Sequence, residues 1–292
     1  YDLAGRQRGV YPVGPGRIAT GDLFGFIDLK GASNEARQLV VYPRVISLTR
    51  PALASTAPLG RMPSRRPIYA DPARVNGVRE YTPGDPIRLI DWRTSARTAQ
   101  LQVKKHDPAV SLASAIDLDL RAESYSRGQL YNASEWAIVV AASVATYLIE
   151  ERQEVGLGSN GRDTVTSVAG WTIEPRQGRG HLMKLLEWLA RVETAETEPL
   201  AAWLPRAASG LTWGATVIAV TATGDAATCA SLHRLRRAGL NPVLLAVEPH
   251  AQFGLVRERC RRLGIAAHLV ADENDLLRWQ AAGAPARPGR AA

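Results

Sequence analysis

Residues 215–247, ATVIAVTATGDAATCASLHRLRRAGLNPVLLAV, have the clearest secondary-structure pattern in the sequence. It begins with a continuous apolar run at 215–220 and ends with a second one at 242–247. Between these runs, residues 226–238 have the apolar spacing of an amphipathic helix, and Gly239 closes that helix. Two short apolar strands joined by a helix predict neighbouring parallel strands in a sheet that is covered on both faces.

The alternation of strands and helices continues on both sides of this unit. Upstream we predict a strand at 111–120, a helix at 134–153, a hairpin at 154–173 that turns at Ala169-Gly170, and a helix at 181–192. Downstream we predict a helix at 253–263, a strand at 266–270 and a helix at 273–281. Residues 111–282 are thus predicted to form an α/β domain with a doubly wound, mostly parallel, Rossmann-like sheet and one antiparallel edge strand. This order of elements resembles the von Willebrand A domain.

The remaining parts of the chain differ in composition from this domain. Residues 1–50 contain short apolar runs broken by Gly and Pro and lack a helical period, which predicts a small antiparallel β module. Residues 51–77 are rich in Pro, Ala, Ser and Arg and predict an irregular connection. Residues 78–110 are predicted to hold a signature motif and a strand that link the modules. Residues 283–292 predict a disordered tail.

The bulk composition limits the classes of function. With 46% hydrophobic and 22% charged residues, the chain is predicted to be a folded, soluble protein. Its net charge of +8 leaves three kinds of partner open: nucleic acid, an anionic membrane surface and acidic proteins. The basic residues are spread along the chain, and no nucleic-acid-binding signature is present, so we expect no nucleic acid.

Two further features of the composition concern the membrane and the cysteines. The longest uncharged helical run, 136–149, is shorter than the ~20 residues that cross a bilayer, so we predict a buried domain helix there. Cys229 and Cys260 stand far apart in the sequence, without Cys or His at metal-ligand spacing. They predict neither a disulfide framework nor a zinc site.

A candidate metal loop follows the strand at 111–120. In von Willebrand A domains the corresponding loop resembles Asp-x-Ser-x-Ser, whose oxygens hold a divalent metal, usually Mg²⁺. Asp117 matches the first position of that motif, and Asp119 replaces the first serine with another oxygen ligand. Arg121 stands in place of the second serine and cannot donate an oxygen. Asp225 is predicted either to complete the metal site or to cap the helix that begins at residue 226.

Two interpretations of this loop therefore stay open. The first is a degenerate metal site made of Asp117, Asp119 and Asp225. The second is a metal-free loop in which Arg121 pairs with Asp117 or Asp119 in place of the ion. We predict no cofactor, with Mg²⁺ as the one candidate.

Other motifs do not indicate catalysis. The glycine-rich stretch GLGSNG at 156–161 lacks the Lys-Ser/Thr of a phosphate-binding loop and predicts a turn. The five histidines stand alone in the sequence, and no local motif predicts a catalytic triad. We predict that the chain is not an enzyme.

The run VREYTPGDPIRLIDWRTSAR at 78–97 combines a Pro-Gly turn, several Arg and Asp residues and a tryptophan. Paired guanidinium and carboxylate groups beside an indole suit a protein interface. An active site is less favoured, because the surrounding arginines keep the carboxylates ionised. The predicted interface residues are Arg79, Glu80, Tyr81, Gly84, Asp85, Arg88, Asp91, Trp92, Ser95 and Arg97.

This run closely resembles the signature of the bacterial family called domain of unknown function fifty-eight. Members of that family typically have two transmembrane helices before this region, which implies attachment to the cell membrane through an N-terminal segment that precedes Tyr1. Members are commonly encoded with MoxR-type AAA+ ATPases. The resemblance therefore implies a partner or adaptor of such an ATPase at the bacterial membrane, with the soluble part facing the cytoplasm.

Three hypotheses for the function follow. The leading one is a non-enzymatic, membrane-anchored interaction or adaptor protein that binds a MoxR-type AAA+ ATPase. The second is a ligand binder or enzyme that depends on a divalent metal at the Asp117 loop. The third is a binder of anionic lipid or nucleic-acid surfaces, whose affinity should fall steeply as salt rises.

Overall fold

The computed structural model describes Gly5 and residues 7–14, 16–21, 28–33, 37–48, 70–82, 90–108, 113–248 and 253–282. It divides the chain into two compact units, one of residues 1–57 with 112–292 and the other of residues 58–111. The strands are β1 (Gly9–Val13), β2 (Gly16–Gly21), β3 (Asp28–Ser33), β4 (Arg37–Val41), β5 (Ala70–Glu80), β6 (Gln102–Pro108), β7 (Ser114–Leu118), β8 (Val155–Asp163), β9 (Ala169–Arg176), β10 (Val192–Glu193), β11 (Thr216–Thr221), β12 (Asn241–Ala246) and β13 (Ala266–Leu269). The helices are α1 (Trp92–Thr98), α2 (Leu130–Glu150), α3 (Arg179–Arg191), α4 (Leu200–Ala207), α5 (Ala226–Arg237), α6 (Phe253–Arg262) and α7 (Glu273–Ala282).

The larger unit is built on a seven-stranded sheet. Strands β8, β7, β11, β12 and β13 are successive parallel neighbours. Strand β9 is antiparallel on β8 at the edge, and the short β10 pairs antiparallel with the end of β8. The predicted doubly wound, mostly parallel sheet with an antiparallel edge strand is confirmed. Because the strand order reverses between β7 and β11, their carboxyl ends lie where ligands bind in folds of this kind.

Apolar side chains cover both faces of this sheet. One core contains Ile116 and Leu118 of β7 together with α2 and α3, and the other contains Val217 and Ala219 of β11 together with α4, α5 and α6. Among the described residues, α2 is the one helix long and apolar enough to span a membrane, but 67% of its apolar window is buried inside the protein. The predicted buried domain helix is confirmed.

The N-terminal strands belong to the larger unit. Strand β1 pairs antiparallel with β4, and β2 pairs antiparallel with β3, as the predicted antiparallel β module requires. Arg8, just before β1, donates from Nε and Nη2 to the Glu135 carboxylate at 2.8–3.1 Å. Its Nη1 donates to the carbonyl oxygens of Leu189 at 2.9 Å and Val192 at 2.7 Å. One guanidinium therefore ties the N-terminal strands to α2 and to the end of α3.

Three local predictions were wrong. Residues 70–77, predicted to be irregular, form most of β5, because β6 supplies backbone partners from a distant part of the chain. The hairpin turns at 164–168 and not at Ala169-Gly170. Asp163 fixes that turn, since its carboxylate accepts hydrogen bonds from Val165 N at 3.1 Å and Thr166 Oγ1 at 2.6 Å.

The third wrong prediction concerns residues 156–161, which lie inside β8 and form no turn. The glycines are used for close contacts. A Cβ atom at Gly156 would lie 2.9 Å from the Ile173 carbonyl oxygen, and one at Gly158 would lie 2.6 Å from Asp117 Oδ1. Residues 51–69 of the predicted connection and the predicted tail at 283–292 lie outside the described residues.

Candidate functional site at the carboxyl edge of the sheet

A buried hydrogen-bond network centred on Asp119 joins the ends of three strands. Asp119 follows β7 directly and is only 1% exposed. Its Oδ2 accepts from Thr221 Oγ1 at 2.7 Å, at the end of β11. Its Oδ1 accepts from Asn160 Nδ2 in β8 at 2.8 Å and from Arg121 N at 3.3 Å. Neutral donors therefore hold both carboxylate oxygens.

Two groups next to Asp119 extend this network. Tyr125, which follows the short 3-10 helix Ala122–Ser124, donates from its hydroxyl to the Asp119 carbonyl oxygen at 2.5 Å. Burial, with the negative charges of Asp119 and Glu248, raises the pKa of Tyr125 well above its usual value. The phenol therefore stays protonated and acts as a fixed donor. Glu248, at the end of β12, accepts from Ser126 N at 3.2 Å and is also buried.

The three predicted metal ligands do not converge. Asp225 caps α5, because its Oδ1 accepts from Thr228 N at 2.7 Å. Asp117 lies within β7 and accepts at Oδ1 from Trp203 Nε1 at 3.2 Å. Over the residues that the structure describes, no group of three His, Cys, Asp or Glu side chains could hold a metal ion.

The arrangement around Asp119 also does not fit a divalent cation. A hard cation needs several free oxygen ligands, whereas both Asp119 oxygens already accept hydrogen bonds. The predicted pairing of Arg121 with Asp117 or Asp119 was wrong, because the Arg121 guanidinium pairs with Glu123. Amide and hydroxyl donors, rather than the Arg121 guanidinium, contact the Asp119 carboxylate.

Asp117 lies at the wall of a cavity of about 440 Å³ on the sheet face covered by α4. Gly156 and Gly158 of β8 line the same cavity, as does Thr172 of β9. The Asp117 Oδ2 atom is buried, and the described residues offer it no hydrogen-bond partner. Burial raises the pKa of the Asp117 carboxyl to about 7, against the smaller lowering effect of the bond from Trp203.

This raised pKa predicts a pH-dependent stability. Because the folded-state pKa of about 7 exceeds the ordinary value of 3.8, the native state binds the proton more tightly than the unfolded chain. The Asp117 contribution is therefore most favourable below pH 4 and is lost as the pH rises to about 7. We expect Asp117→Asn to remove this pH dependence. The free energy of unfolding of the variant, relative to that of wild type, should therefore increase by about 1–3 kcal/mol from pH 5 to pH 8. Urea unfolding of both proteins across that range measures the difference, and a constant difference would contradict the prediction.

In the smaller unit, hydrogen bonds fix helix α1 of the signature run at 78–97 to strand β6. Asp91 caps α1, since its Oδ1 accepts from Thr94 N at 3.0 Å. Ser95 Oγ donates to the Asp91 carbonyl oxygen at 2.7 Å and accepts from Gln102 N at 2.8 Å. Asp91 N donates to the Gln102 carbonyl oxygen at 2.8 Å. Two signature residues therefore join α1 to β6 through buried or half-buried polar groups.

Helix α1 turns its largest side chains to the solvent. Trp92 is 63% exposed, and Arg93 and Arg97 are exposed as well. Ser95 is the buried residue of this helix. Tryptophan and arginine are the residue types most enriched among the side chains that dominate binding energy at protein interfaces.

The other predicted interface residues are only partly described. Glu80 ends β5 and is exposed, and Tyr81 follows it, half-buried, with its N–H donating to the Leu101 carbonyl oxygen at 2.9 Å. For Arg79 the structure describes the backbone, and Gly84, Asp85 and Arg88 lie outside the described residues. The interface role of the whole set stays a prediction.

Several residues of the carboxyl edge were not predicted. Asn160 and Tyr125 complete the Asp119 network, and Trp203 reaches Asp117 from α4. For Asn160 the sequence does offer a signal. The alternation in Gly156-Leu157-Gly158-Ser159-Asn160 is typical of a strand and places two glycines and the Asn160 amide on the same face. For Trp203 the sequence offers none, since α4 begins after Pro199 and contains Pro205.

Comparison with known proteins places the central segment in a family. Residues 77–220 match the family described as "Protein of unknown function DUF58". This DUF58 segment begins within β5 and ends within β11, so that it contains the signature helix α1, Asp117, Asp119 and Asn160. The resemblance inferred from the signature run is confirmed.

Individual proteins with similarity to the chain are more distant. The uncharacterised protein YeaD of Bacillus subtilis (strain 168) is 28% identical over 202 residues, which cover 68% of this chain and 47% of YeaD. The chain thus spans about half the length of that relative. An aerotolerance-related membrane protein from Bacteroides fragilis, in a form with multiple mutations to serines, is 13% identical with a TM-score of 0.39, over 58% of this chain and 96% of that one. A von Willebrand factor type A protein from Catenulispora acidiphila is 10% identical with a TM-score of 0.39, over 59% of this chain and 41% of that one.

Proposed function

We propose that the chain is a non-enzymatic, membrane-associated adaptor that binds a MoxR-type AAA+ ATPase through α1. The single observation that carries the proposal is the exposure of Trp92 on a helix that buried polar bonds hold in place. An exposed indole on a pre-organised helix offers binding energy at little cost in conformational entropy. The identity of the partner rests on the resemblance to DUF58 proteins.

Charge on the same helix supports the choice of a protein partner. Arg93 and Arg97 follow Trp92 in α1 and are exposed, so this helix presents an indole and two guanidinium groups to the solvent. Such a surface matches an acidic partner surface with an apolar pocket. At the carboxyl edge of the sheet, both oxygens of Asp119 accept hydrogen bonds from internal donors, so this carboxylate is not free for catalysis.

The test is a binding measurement with Trp92→Ala. We expect the variant to bind a MoxR-type AAA+ ATPase from the same organism at least about 30-fold more weakly than wild type does, which corresponds to about 2 kcal/mol for a central interface tryptophan. Because Trp92 is exposed, the far-ultraviolet circular dichroism should not change. Biolayer interferometry with the purified ATPase and the full-length protein measures the affinity.

The matched control is Trp213→Ala. Trp213 is 73% exposed and lies in the larger unit, outside the signature run. The Trp213→Ala variant should bind the ATPase with the same affinity as wild type. Equal affinity of wild type and both variants would remove α1 as the docking element. Absence of binding by wild type would remove the ATPase as the partner.

A further inference from the structure

Helices α5 and α6 bring the two cysteines of the chain together. The Sγ atoms of Cys229 and Cys260 are 3.4 Å apart, and both cysteines are free and fully buried. The sulfur atoms of a disulfide are separated by about 2.0 Å, so the gap has to shorten by about 1.4 Å. Side-chain rotations of this size do not require the helices to separate or turn.

We propose that Cys229 and Cys260 form a reversible dithiol–disulfide site that a peroxide oxidises. The Cys229 thiolate attacks one peroxide oxygen, the O–O bond breaks, and the released hydroxide takes up a proton to form water. Cys229 is then a sulfenic acid. The Cys260 sulfur attacks the Cys229 sulfur, the S–O bond breaks, and the departing hydroxide takes the Cys260 proton as a second water. In sum, two thiols lose two electrons and two protons, and the peroxide is reduced to two waters.

The surroundings distinguish the two sulfurs. The hydrogen bond from Cys260, together with the positive charge of Arg259, lowers the pKa of the Cys229 thiol to about 7 against the effect of burial. The same contact and burial raise the pKa of Cys260 well above its usual value. Cys229 is therefore the sulfur that attacks the peroxide, and Cys260 is the sulfur that resolves the sulfenic acid.

A cleft gives small molecules a route toward Cys229. The cleft has a volume of about 470 Å³, and Gly224, Val256 and Arg259 contribute to its wall. Cys229 Sγ donates to the Gly224 carbonyl oxygen at 3.6 Å, and Arg259 Nη1 donates to the same oxygen at 3.4 Å. The Cys229 thiol thus lies behind this wall, so a small peroxide reaches it only when the wall opens locally.

Burial and proximity together determine the product. A buried thiol reacts more slowly with peroxide than an exposed one. Once the sulfenic acid has formed, however, the second thiol is already in contact, so disulfide formation precedes further oxidation to sulfinic acid. The disulfide then joins α5 to α6, and α6 contributes Leu255, Val256 and Arg259 to the wall of the cleft.

The experiment exposes the reduced chain to hydrogen peroxide, blocks remaining thiols with an alkylating reagent, and measures the intact mass. We expect the loss of two hydrogens without alkylation. Glu198 and Glu248 each precede a proline and are not cut, so cleavage after Glu196, Glu258 and Glu273 places the cysteines on separate peptides, 197–258 and 259–273, which only a disulfide joins. The oxidised protein should unfold at a higher temperature than the reduced one, and dithiothreitol should reverse the increase.

The single variants Cys229→Ser and Cys260→Ser give the controls. Cys260→Ser should accumulate sulfenic or sulfinic acid at Cys229, because the resolving thiol is missing, and its unfolding temperature should not rise. Alkylation of both thiols in peroxide-treated wild type would overturn the proposal. So would sulfinic acid at either cysteine of wild type, or disulfides that form only between molecules.

Discussion

Asp119→Ala should reduce the free energy of unfolding of the larger unit by about 3 kcal/mol. The substitution leaves Thr221 Oγ1 and Arg121 N without their acceptor in a buried site, and it removes one of the two bonds of Asn160 Nδ2. Each buried donor that loses its partner costs about 1–3 kcal/mol, and water that enters the space offsets part of this sum. Urea denaturation followed by circular dichroism measures the change.

Two matched variants make this prediction specific. Asp119→Asn keeps the shape of the side chain and one acceptor oxygen, so about half of the loss is expected. Asp225→Ala removes a single helix cap, which is worth about 1 kcal/mol. If the three aspartates formed one common site, Asp225→Ala would instead destabilise the protein as much as Asp119→Ala. A loss below about 1 kcal/mol for Asp119→Ala would contradict the network as the structure shows it.

Arg8→Ala should cost about 3 kcal/mol of the free energy of unfolding, which is comparable to the effect at Asp119. The Arg8 side chain is 12% exposed, and its removal leaves the Glu135 carboxylate and the carbonyl oxygens of Leu189 and Val192 without this donor. Because the broken pair is largely buried, water replaces the lost bonds poorly. Arg8→Lys should recover less than half of the loss, since an ammonium group cannot bind Glu135 at two points and reach two carbonyls as well.

The exposed pair of Arg44 with Glu273 is the control for Arg8. The Arg44 side chain is 64% exposed, and its guanidinium also joins the N-terminal region to the sheet domain. Exposed ion pairs contribute about 0–1 kcal/mol, so Arg44→Ala should barely move the urea midpoint. Similar losses for Arg8→Ala and Arg44→Ala would show that burial of the Arg8 pair is not what stabilises the attachment of the N-terminal strands.

The elements that the sequence predicted well have local patterns. Strands β11 and β12 are largely apolar runs, and α5 and α6 are amphipathic and end before Gly239 and Gly264. The observed bounds of these elements and of β13 lie within one or two residues of the predicted ones. Helix α4 has apolar residues at helical spacing, Leu200, Trp203 and Leu204, but it is short, and proline occupies its N-cap and an internal position. Its helical form depends on packing against the sheet, which a local pattern does not record.

In the candidate site, too, local sequence indicated single residues but not the partners that the fold brings to them. Asp119 was recognised because a carboxylate at the end of a buried strand is conspicuous, yet its partners Asn160 and Thr221 come from strands 41 and 102 residues away. The meeting of Cys229 with Cys260 depends likewise on how two helices pack, and their separation in the sequence gave no sign of it. Asp225 was correctly placed at the start of a helix, but the choice between a cap and a metal ligand needed the geometry.

Internal donors bind both oxygens of the Asp119 carboxylate at the carboxyl edge of the sheet, and we therefore expect no divalent ion to bind there. The most direct test is isothermal titration of the purified, EDTA-treated protein with Mg²⁺ and Mn²⁺, together with thermal unfolding in each ion. An ion at about 100 times its Kd would stabilise the native state by about 2.7 kcal/mol, which is a readily measured rise in Tm. We predict no saturable heat and no rise in Tm. Saturable heat with a rise in Tm that Asp119→Ala abolishes would contradict the claim.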